Sequence, residues 1–453
     1  MNMTATVFYT DARALHNNQS MVAKTIALFD KAKFDQLFQP GDYVAVKLHM
    51  GEFNNTQYIR PVYVRAIVDR IKAAGGIPFV ADTCTLPYHP WAARTNPIDH
   101  LKTVARNGFT MASVGAPIVI ADGFGTDDVL VDLPEGLLLK EQYVATGFAQ
   151  ADAVIVLSHF KGHPMGTFGG AIKNIGVGGA SQRGKLNLHL GRHPKYGLHL
   201  FAFNPSFCSG KKCENAARCE AICPVNALKV TDTSIEWDKE KCIGCTAHTF
   251  ATLECGVFTS IEQLEYLEAT SVAIADSAKA FVKLVGKEHI GYINFAMDIS
   301  PWCDCISWSD APILPNLGIF ASNDPVAIDR SCIDQATASP GMLNSVAESK
   351  DVLDAGLPKM SACGSFLGVS ENIQINTGVE NGLGELSYKL SNVVSLSGKH
   401  MPAYNLLIDS GYAGVHMAKL YKKKSVLPEP SAADGGFKRL IKIDMSKLRN
   451  RRD

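Results

Sequence analysis

Short apolar runs alternate along the chain with stretches in which apolar residues recur at helical spacing. Short runs rich in branched and aromatic residues predict strands over residues 4–10, 42–50, 77–83, 152–159, 289–300 and 317–322. Stretches with apolar residues three and four apart predict helices over 20–32, 61–76, 98–107, 260–285 and 323–336. Because strands and helices alternate, we expect an α/β fold with a mostly parallel sheet covered by helices.

A cysteine-rich segment interrupts this alternation, and the α/β pattern resumes after it. We therefore expect an inserted module rather than an appended domain. The predicted boundaries are 1–205 and 259–370 for the two parts of the α/β domain, 206–258 for the insert, and 371–453 for a C-terminal helical region and basic arm. The arm is expected to pack on its own body or on a second subunit, as in a homodimer, and a docking patch for an acidic redox partner is the alternative.

Composition and charge exclude several classes of protein. Hydrophobic residues make up 46% and charged residues 19% of the chain, which is typical of a globular protein. Since the formal net charge is zero, no nucleic-acid partner is expected. The chain shows neither a signal peptide pattern nor an apolar run of about eighteen residues, so we expect a cytoplasmic protein without a membrane partner. In a reducing compartment, twelve cysteines indicate metal ligands or reactive thiols.

Seven of the twelve cysteines lie between Cys208 and Cys255 in a stretched ferredoxin pattern. Its first half ends in C-x3-C-P, and its second half begins with C-x2-C and has His248 where a third cysteine is expected. This pattern predicts that the insert is a ferredoxin-like α+β iron–sulfur module. Ferredoxin pairing predicts two 4Fe–4S clusters in preference to one. The first would take Cys208, Cys213, Cys219 and Cys255. The second would take Cys223, Cys242, Cys245 and either His248 or a thiol from outside the insert. A small zinc ribbon is the alternative.

Polar residues gather where the predicted strands end. In an open parallel sheet, ligands bind beyond the carboxyl ends of the strands, so these residues predict a shared cleft. They are Lys47, His49, Glu52, Asp82, Thr83, Cys84, His159, Lys161, His163, Asp298, Cys303, Asp304, Cys305, Asn323 and Asp324.

The glycine-rich stretch 159–199 holds five of the thirteen histidines together with several cations. Glycines let backbone N–H groups approach a ligand, and nearby cations favour anions, so a small anionic or polar substrate is expected there. The expected binding residues are Gly169, Gly170, Asn174, Arg183 and Lys185. The candidate catalytic residues, including proton donors, are His159, Lys161, His163 and Lys173. A glycine-rich connector with solvated lysines is the alternative.

Two cysteines separated by one residue, Cys303 and Cys305, form a second unusual feature, and we also count them among the candidate catalytic residues. In an extended chain they point to opposite sides and cannot easily form a disulfide. Three interpretations stay open. One of them completes the second cluster, or one is a substrate-facing thiol or mononuclear metal ligand, or both are inert.

Several stretches together resemble the domain-of-unknown-function 362 family. They are VKLHMGE, ADTCTL, SHFKGHPMGTFGGAIKNIGVGGASQRGK, the cysteine insert, and WCDC followed by SDAPILPNLGIFASNDPVAID, and they fall within about residues 3–370. The resemblance implies 4Fe–4S clusters in a ferredoxin-type insert between two α/β parts, and it implies no settled reaction. Members usually carry C-x2-C-x2-C loops, whereas both halves are irregular here.

The insert therefore predicts a route for electrons into the α/β cleft. A low-potential donor such as a ferredoxin would supply electrons through the clusters to a small anionic or polar substrate, which makes the protein an iron–sulfur oxidoreductase. A non-enzymatic alternative is an electron carrier or adaptor that docks a partner redox enzyme. A third is a non-redox enzyme that uses a cluster iron as a Lewis acid.

Overall fold

The computed structural model describes residues 4–15, 19–86, 92–191, 193, 202–243, 255–259, 264–365 and 367–394. The predicted cluster ligands Cys245 and His248 lie outside these residues, as does the basic arm. Among the described helices, none combines the length and the apolar character needed to cross a membrane.

Eight strands form the central sheet. Numbered in chain order among all strands, they are β1 Ala5–Asp11, β2 Tyr43–Lys47, β3 Ile77–Asp82, β4 Ile118–Ile120, β7 Ala153–His159, β14 Ile290–Ala296, β15 Gly318–Ser322 and β16 Tyr388–Val394. Their order across the sheet is β16-β1-β15-β14-β7-β2-β3-β4. Neighbouring strands pair in parallel except at β15, which is antiparallel to both β1 and β14. The predicted α/β fold with a mostly parallel sheet is confirmed.

Helices cover both faces of this sheet. The helices are Met21–Lys31, Pro61–Ala73, Pro97–Arg106, Met111–Val114, Thr146–Ala149, Ala171–Gly176, Gln182–Leu188, Ala216–Ala221, Leu264–Val285, Pro325–Ala338, Val346–Ser349, Lys359–Gly364 and Asn372–Glu380. Successive side chains of a strand point to opposite faces, so Ile155 of β7 packs with Leu28 and Ile67 on one side. Its neighbour Val156 packs on the other side, in a core that includes Phe281.

Short hairpins complete the described part of the chain. They are β5 Asp128–Asp132 with β6 Glu141–Ala145, β8 Lys161–His163 with β9 Thr167–Gly169, and β11 Leu228–Val230 with β12 Ile235–Trp237, while β10 Ala202–Phe203 pairs with β13 Phe258–Thr259. The β10–β13 pair brings the two ends of the cysteine segment together. Phe203 and Phe258 of this pair contact each other and meet the ring of Trp237 edge to face, in a small core of their own.

Two features of the sheet differ from the sequence-based expectation. Strand β16 lies beyond the predicted end of the α/β part at residue 370, and it pairs in parallel with β1. Because β15 runs antiparallel, its carboxyl end lies at the opposite edge from those of its neighbours. Asn323 and Asp324 therefore do not share a cleft with the other strand-end residues, as the sequence predicted. Asp324 instead caps the helix Pro325–Ala338 by accepting the N–H groups of its first turn.

Candidate functional site

Three adjacent parallel strands end in polar or charged residues at one edge of the sheet. Lys47 ends β2, Asp82 ends β3 and His159 ends β7. The β8–β9 hairpin and the loop after β14 add further polar groups, and a set of twelve buried side chains results. We call this set the carboxyl-edge cluster. Its members are Lys47, Glu52, Asp82, Arg94, His100, His159, Lys161, His163, Lys173, Lys185, Cys303 and Asp304.

Lys47 and Asp82 form an ion pair at the centre of this edge, with Nζ 2.9 Å from Oδ1. Burial lowers the pKa of Lys47, although Asp82 counteracts it. Burial would raise the pKa of Asp82, but Lys47, with His49, His100 and Arg94 nearby, outweighs it and holds that pKa below its usual value. Asn174 accepts a hydrogen bond from Lys47 Nζ at 3.0 Å and donates to Leu157 O, so it positions the lysine.

A second group of side chains surrounds the carboxylate of Asp304. Its carboxylate lies 2.8 Å from His159 Nδ1 and 3.1 Å from Lys161 Nζ. Burial opposes ionisation, but His159 and Lys161 outweigh it and lower the pKa of Asp304 to about 2. In turn, burial opposes the charge of Lys161, but Asp304 outweighs it and raises the pKa of that lysine. The other ring nitrogen of His159 lies 2.8 Å from Met297 O, so the protein engages both nitrogens.

A third group surrounds the Cys303 sulfur. The Cys305 backbone N–H donates to it at 3.3 Å, and Lys173 Nζ lies 3.4 Å away. Burial would raise the pKa of Cys303, but the side-chain hydrogen bond from Cys305, followed by Lys173, Lys161 and His163, lowers it well below its usual value. The hydrogen bond to Cys303, together with burial, raises the pKa of Cys305. The two sulfur atoms therefore lie side by side and interact directly.

His163 faces the same sulfur from the β8–β9 hairpin. Burial and, after it, Lys173 lower the pKa of His163 to about 4, so the ring is neutral at pH 7. One ligand atom each from His163, Cys303 and Cys305 lies within 4.8 Å of the other two. These three candidate catalytic residues thus meet in space, and Lys161 and Lys173 flank them.

The predicted glycine-rich binding residues divide between several roles. Lys185 Nζ donates to Thr83 Oγ1 and Ala180 O, and burial lowers its pKa to about 8. A β-carbon on Gly169 would lie 3.2 Å from Lys161 Nζ, so this glycine packs directly against a member of the carboxyl-edge cluster. Gly170 precedes the helix Ala171–Gly176, whose first N–H groups bond to Asp329. The carboxylate of Asp329 thus accepts the backbone N–H groups next to Gly170, where the sequence predicted a bound substrate.

Two polar residues predicted at this edge point elsewhere. Arg183 is half-exposed, pairs with Asp128 and stacks over the ring of Tyr143. Asp298 forms an ion pair with the exposed Arg60, 2.7 Å away. Neither is a member of the carboxyl-edge cluster.

The sequence reasoning missed Arg94 and His100. Arg94 Nε lies 3.1 Å from Glu52 Oε2, and His100 Nε2 lies 3.7 Å from Asp82 Oδ2. His100 belongs to the helix Pro97–Arg106, and Arg94 lies in the segment before it, so neither follows a strand. No local signal marked them, because only the fold of this segment over the end of β3 brings them to the cluster.

In the insert, the four cysteines predicted for the first cluster are close neighbours. Burial raises the pKa of Cys219, and the negative charges of Cys255, Cys213 and Cys208 add to that rise. The Cys208 sulfur also accepts the Gly210 N–H at 3.3 Å. Soft thiolate donors converging in this way fit an iron–sulfur cluster, whose sulfur ligands commonly accept N–H hydrogen bonds.

The described ligands of the predicted second cluster lie next to this group, because Cys223 also packs against the core that contains Cys219. Cys223 and Cys242 pack around Ala227 and Trp237, and the Cys223 sulfur accepts the Ala227 N–H at 3.1 Å. The hydrogen bonds described for the Cys303 and Cys305 side chains are with residues of the α/β body.

Comparison with solved structures finds distant likenesses. A lactate racemase apoprotein from Thermoanaerobacterium thermosaccharolyticum is 14% identical with a TM-score of 0.32, and 66% of this chain matches 52% of that chain. A protein from Thermotoga maritima is 10% identical with a TM-score of 0.31, and 62% of this chain matches 52% of that chain. The chain thus spans about half the length of each structure, and TM-scores this low carry no functional argument.

No curated protein matches the chain. A family model described as a domain of unknown function (DUF362) matches residues 44–334, which is well over half of the chain. This match confirms the resemblance carried by the strand-end and glycine-rich motifs, and the chain belongs to the DUF362 family.

Proposed function

We propose that the protein is an iron–sulfur oxidoreductase that reduces a small anionic or polar substrate at the carboxyl-edge cluster. Electrons would come from a low-potential donor such as a ferredoxin. The observation that carries this proposal is the convergence of Cys208, Cys213, Cys219 and Cys255 in the insert. Four neighbouring thiols in a ferredoxin-like cysteine pattern are the donor set that a 4Fe–4S cluster requires. Such a cluster supplies one-electron transfer when bound, and Cys223 and Cys242 would contribute to a second one.

The cleft residues suit an anionic substrate. Lys161 keeps its charge because Asp304 lies beside it, so it is suited to binding an anion rather than to releasing a proton. Lys173 adds a second buried cation 3.4 Å from the Cys303 sulfur. A buried cation attracts an anion far more strongly than an exposed one, because the surrounding protein screens charge poorly.

Reduction of most organic substrates also requires protons, and two groups differ in their fitness to supply them. His163 is neutral at pH 7, since burial lowers its pKa to about 4, so it is not suited to donate a proton. Lys185 has a pKa of about 8, which suits a general acid at neutral pH. His159 is held through both ring nitrogens, so its role is to orient Asp304.

The first test is anaerobic purification followed by counts of iron and sulfide and by EPR of the dithionite-reduced protein. About eight irons per chain are expected for two clusters, and Cys219→Ser should lose about four of them. Cys332→Ser is the control, since this cysteine is also buried but lies in the helix Pro325–Ala338 of the α/β body. If Cys219→Ser lost zinc and no iron, the insert would be a zinc module and the proposal would fail.

The second test separates an enzyme from an electron carrier. Lys161→Ala and Lys173→Ala should abolish substrate reduction while the iron content and the EPR signals stay unchanged. If both variants kept full activity with an acceptor protein, and no small molecule bound the cleft, the carrier function would replace the proposed one.

A further inference from the structure

Three potential metal-ligand atoms meet on segments of the α/β body that lie outside the insert in sequence. The atoms belong to His163, Cys303 and Cys305, and all lie within 4.8 Å of one another. We propose that these residues hold a single thiophilic divalent cation, with Zn²⁺ as the representative ion. Two thiolates and one imidazole form a ligand set that zinc enzymes use, and they leave the fourth coordination position to a small ligand. Ligand atoms around zinc lie roughly 3.5 Å apart, so a small contraction completes the site.

The backbone around these residues is arranged to keep the two segments together. Gly162 N–H donates to Ser300 O at 2.9 Å, which ties the β8–β9 hairpin to the loop that carries both cysteines. A β-carbon on Gly162 would lie 2.2 Å from Pro301 O and 2.8 Å from Gly364 Cα. Backbone therefore approaches backbone at this point, and the ligands project from a rigid frame rather than from a loose loop.

Charge balance is consistent with a dication here. Lys161 is already paired with Asp304, and Lys47 with Asp82, so these four charges cancel. A divalent ion with two thiolates and a neutral imidazole is also neutral. Lys173, beside the Cys303 sulfur, then contributes one further positive charge. We infer that the fourth ligand is a small anion such as hydroxide or a carboxylate, with Lys173 as its counter-charge.

Binding of the ion has one structural cost. His163 Nδ1 accepts the Gly166 N–H at 2.8 Å, so the neutral ring carries its proton on Nε2. Coordination through Nε2 moves that proton to Nδ1 and breaks the bond to Gly166. A single backbone hydrogen bond contributes much less free energy than the coordination of a metal by thiolates, so the ion prevails.

Metal analysis of the full chain tests the site independently of the insert. Anaerobically purified wild-type protein should contain about one zinc per chain in addition to its iron. The Cys303→Ser/Cys305→Ser variant should lose this zinc and keep all of its iron and sulfide. Cys219→Ser should keep this zinc and lose iron. Cys332→Ser, which changes another buried cysteine of the body, should keep both metals.

Cobalt gives a direct optical readout of the ligands. After zinc is removed by dialysis against a chelator, one equivalent of Co²⁺ should produce thiolate-to-cobalt charge-transfer absorption in the wild type. His163→Ala and the double serine variant should lose this absorption, and Cys332→Ser should keep it. Circular dichroism checks that each variant is folded, and His163→Gln replaces His163→Ala if that variant is not.

Several results would overturn the inference. If the double serine variant loses iron instead of zinc, the two cysteines are cluster ligands. If the folded variants bind Co²⁺ with the wild-type spectrum, or the wild type takes up neither metal in its body, His163, Cys303 and Cys305 form no metal site. The proposed function is tested by the iron content and the EPR signals, whereas this inference is tested by the zinc content and the Co²⁺ absorption. Either can therefore fail without the other.

Discussion

At the scale of single residues, this protein buries many charged side chains and joins several of them in ion pairs. Lys47 with Asp82, Arg94 with Glu52, and Lys161 with Asp304 each bring opposite charges within about a hydrogen-bond length. Removing one partner of such a pair leaves an uncompensated buried charge, which typically costs about 3–5 kcal/mol. Asp329 differs, because its carboxylate accepts N–H groups of Ala171, Ile172 and Asn294 and no cation approaches it among its described hydrogen-bond and ion-pair partners.

Asp329 should make stability depend on pH. Burial raises its pKa to about 6, so folding favours the protonated form. Its contribution to stability is complete below the unfolded pKa near 3.9 and is lost as the pH rises through 6. Between pH 5 and 7, the free energy of unfolding should fall by about 1 kcal/mol through this group alone. Urea unfolding should show that Asp329→Asn lacks this part of the slope.

The matched control for this prediction is Asp69→Asn. Asp69 is exposed and pairs with Arg65 on the same helix, so its substitution should leave the pH slope as in the wild type. Identical slopes for wild type and Asp329→Asn would show that burial of Asp329 has no effect on its protonation.

At the scale of elements, the β8–β9 hairpin connects the strand ends to the cysteine loop. It pairs Lys161 with Gly169 and His163 with Thr167, in the register that directs Lys161 and His163 into the carboxyl-edge cluster. Its glycines are not equivalent. Gly162 faces backbone atoms of Pro301 and Gly364, whereas Gly169 faces only the flexible end of Lys161.

Alanine substitutions in this hairpin should therefore have unequal effects. Gly162→Ala forces two backbone segments apart and should lower the free energy of unfolding by about 1–3 kcal/mol. Gly169→Ala requires only that the Lys161 side chain shift, so its effect should be well under that of Gly162→Ala. Chemical denaturation of both variants measures the difference. Equal losses would mean that the hairpin is not held by close backbone packing.

At the scale of the whole molecule, the direction of one strand separates two edges with different roles. Because β15 is antiparallel to β14, Asp324 caps a helix at one edge while the carboxyl-edge cluster occupies the other. Residues at the first edge should matter for stability, and residues at the second should matter for chemistry.

Two substitutions test this division. Asp324→Ala removes the helix cap and should lower the free energy of unfolding by about 1–2 kcal/mol, with activity and metal content unchanged. Lys173→Met should abolish activity with little loss of stability, since Lys173 has no carboxylate partner among the described ion pairs and its removal leaves no carboxylate unpaired. Thermal melts and turnover assays on both proteins give the comparison. Loss of activity in folded Asp324→Ala would place part of the functional site at the opposite edge.

The sequence by itself determined the order and type of the main elements. The six predicted strands and five predicted helices all appear within a few residues of their predicted ends, because their apolar periods reflect the faces that each element buries. The sequence also indicated the family and the polar character of the strand ends. Both depend on short stretches of chain that carry their signal locally.

Only the tertiary structure decided how those elements are arranged. The direction of β15, the addition of β16 to the sheet edge, and the positions of Arg94 and His100 all result from contacts between residues far apart in the chain. The same is true of the pairing of buried charges and of the meeting of His163 with Cys303. Such contacts leave no local period in the sequence, because they are selected by packing and by the cost of burying an unpaired charge.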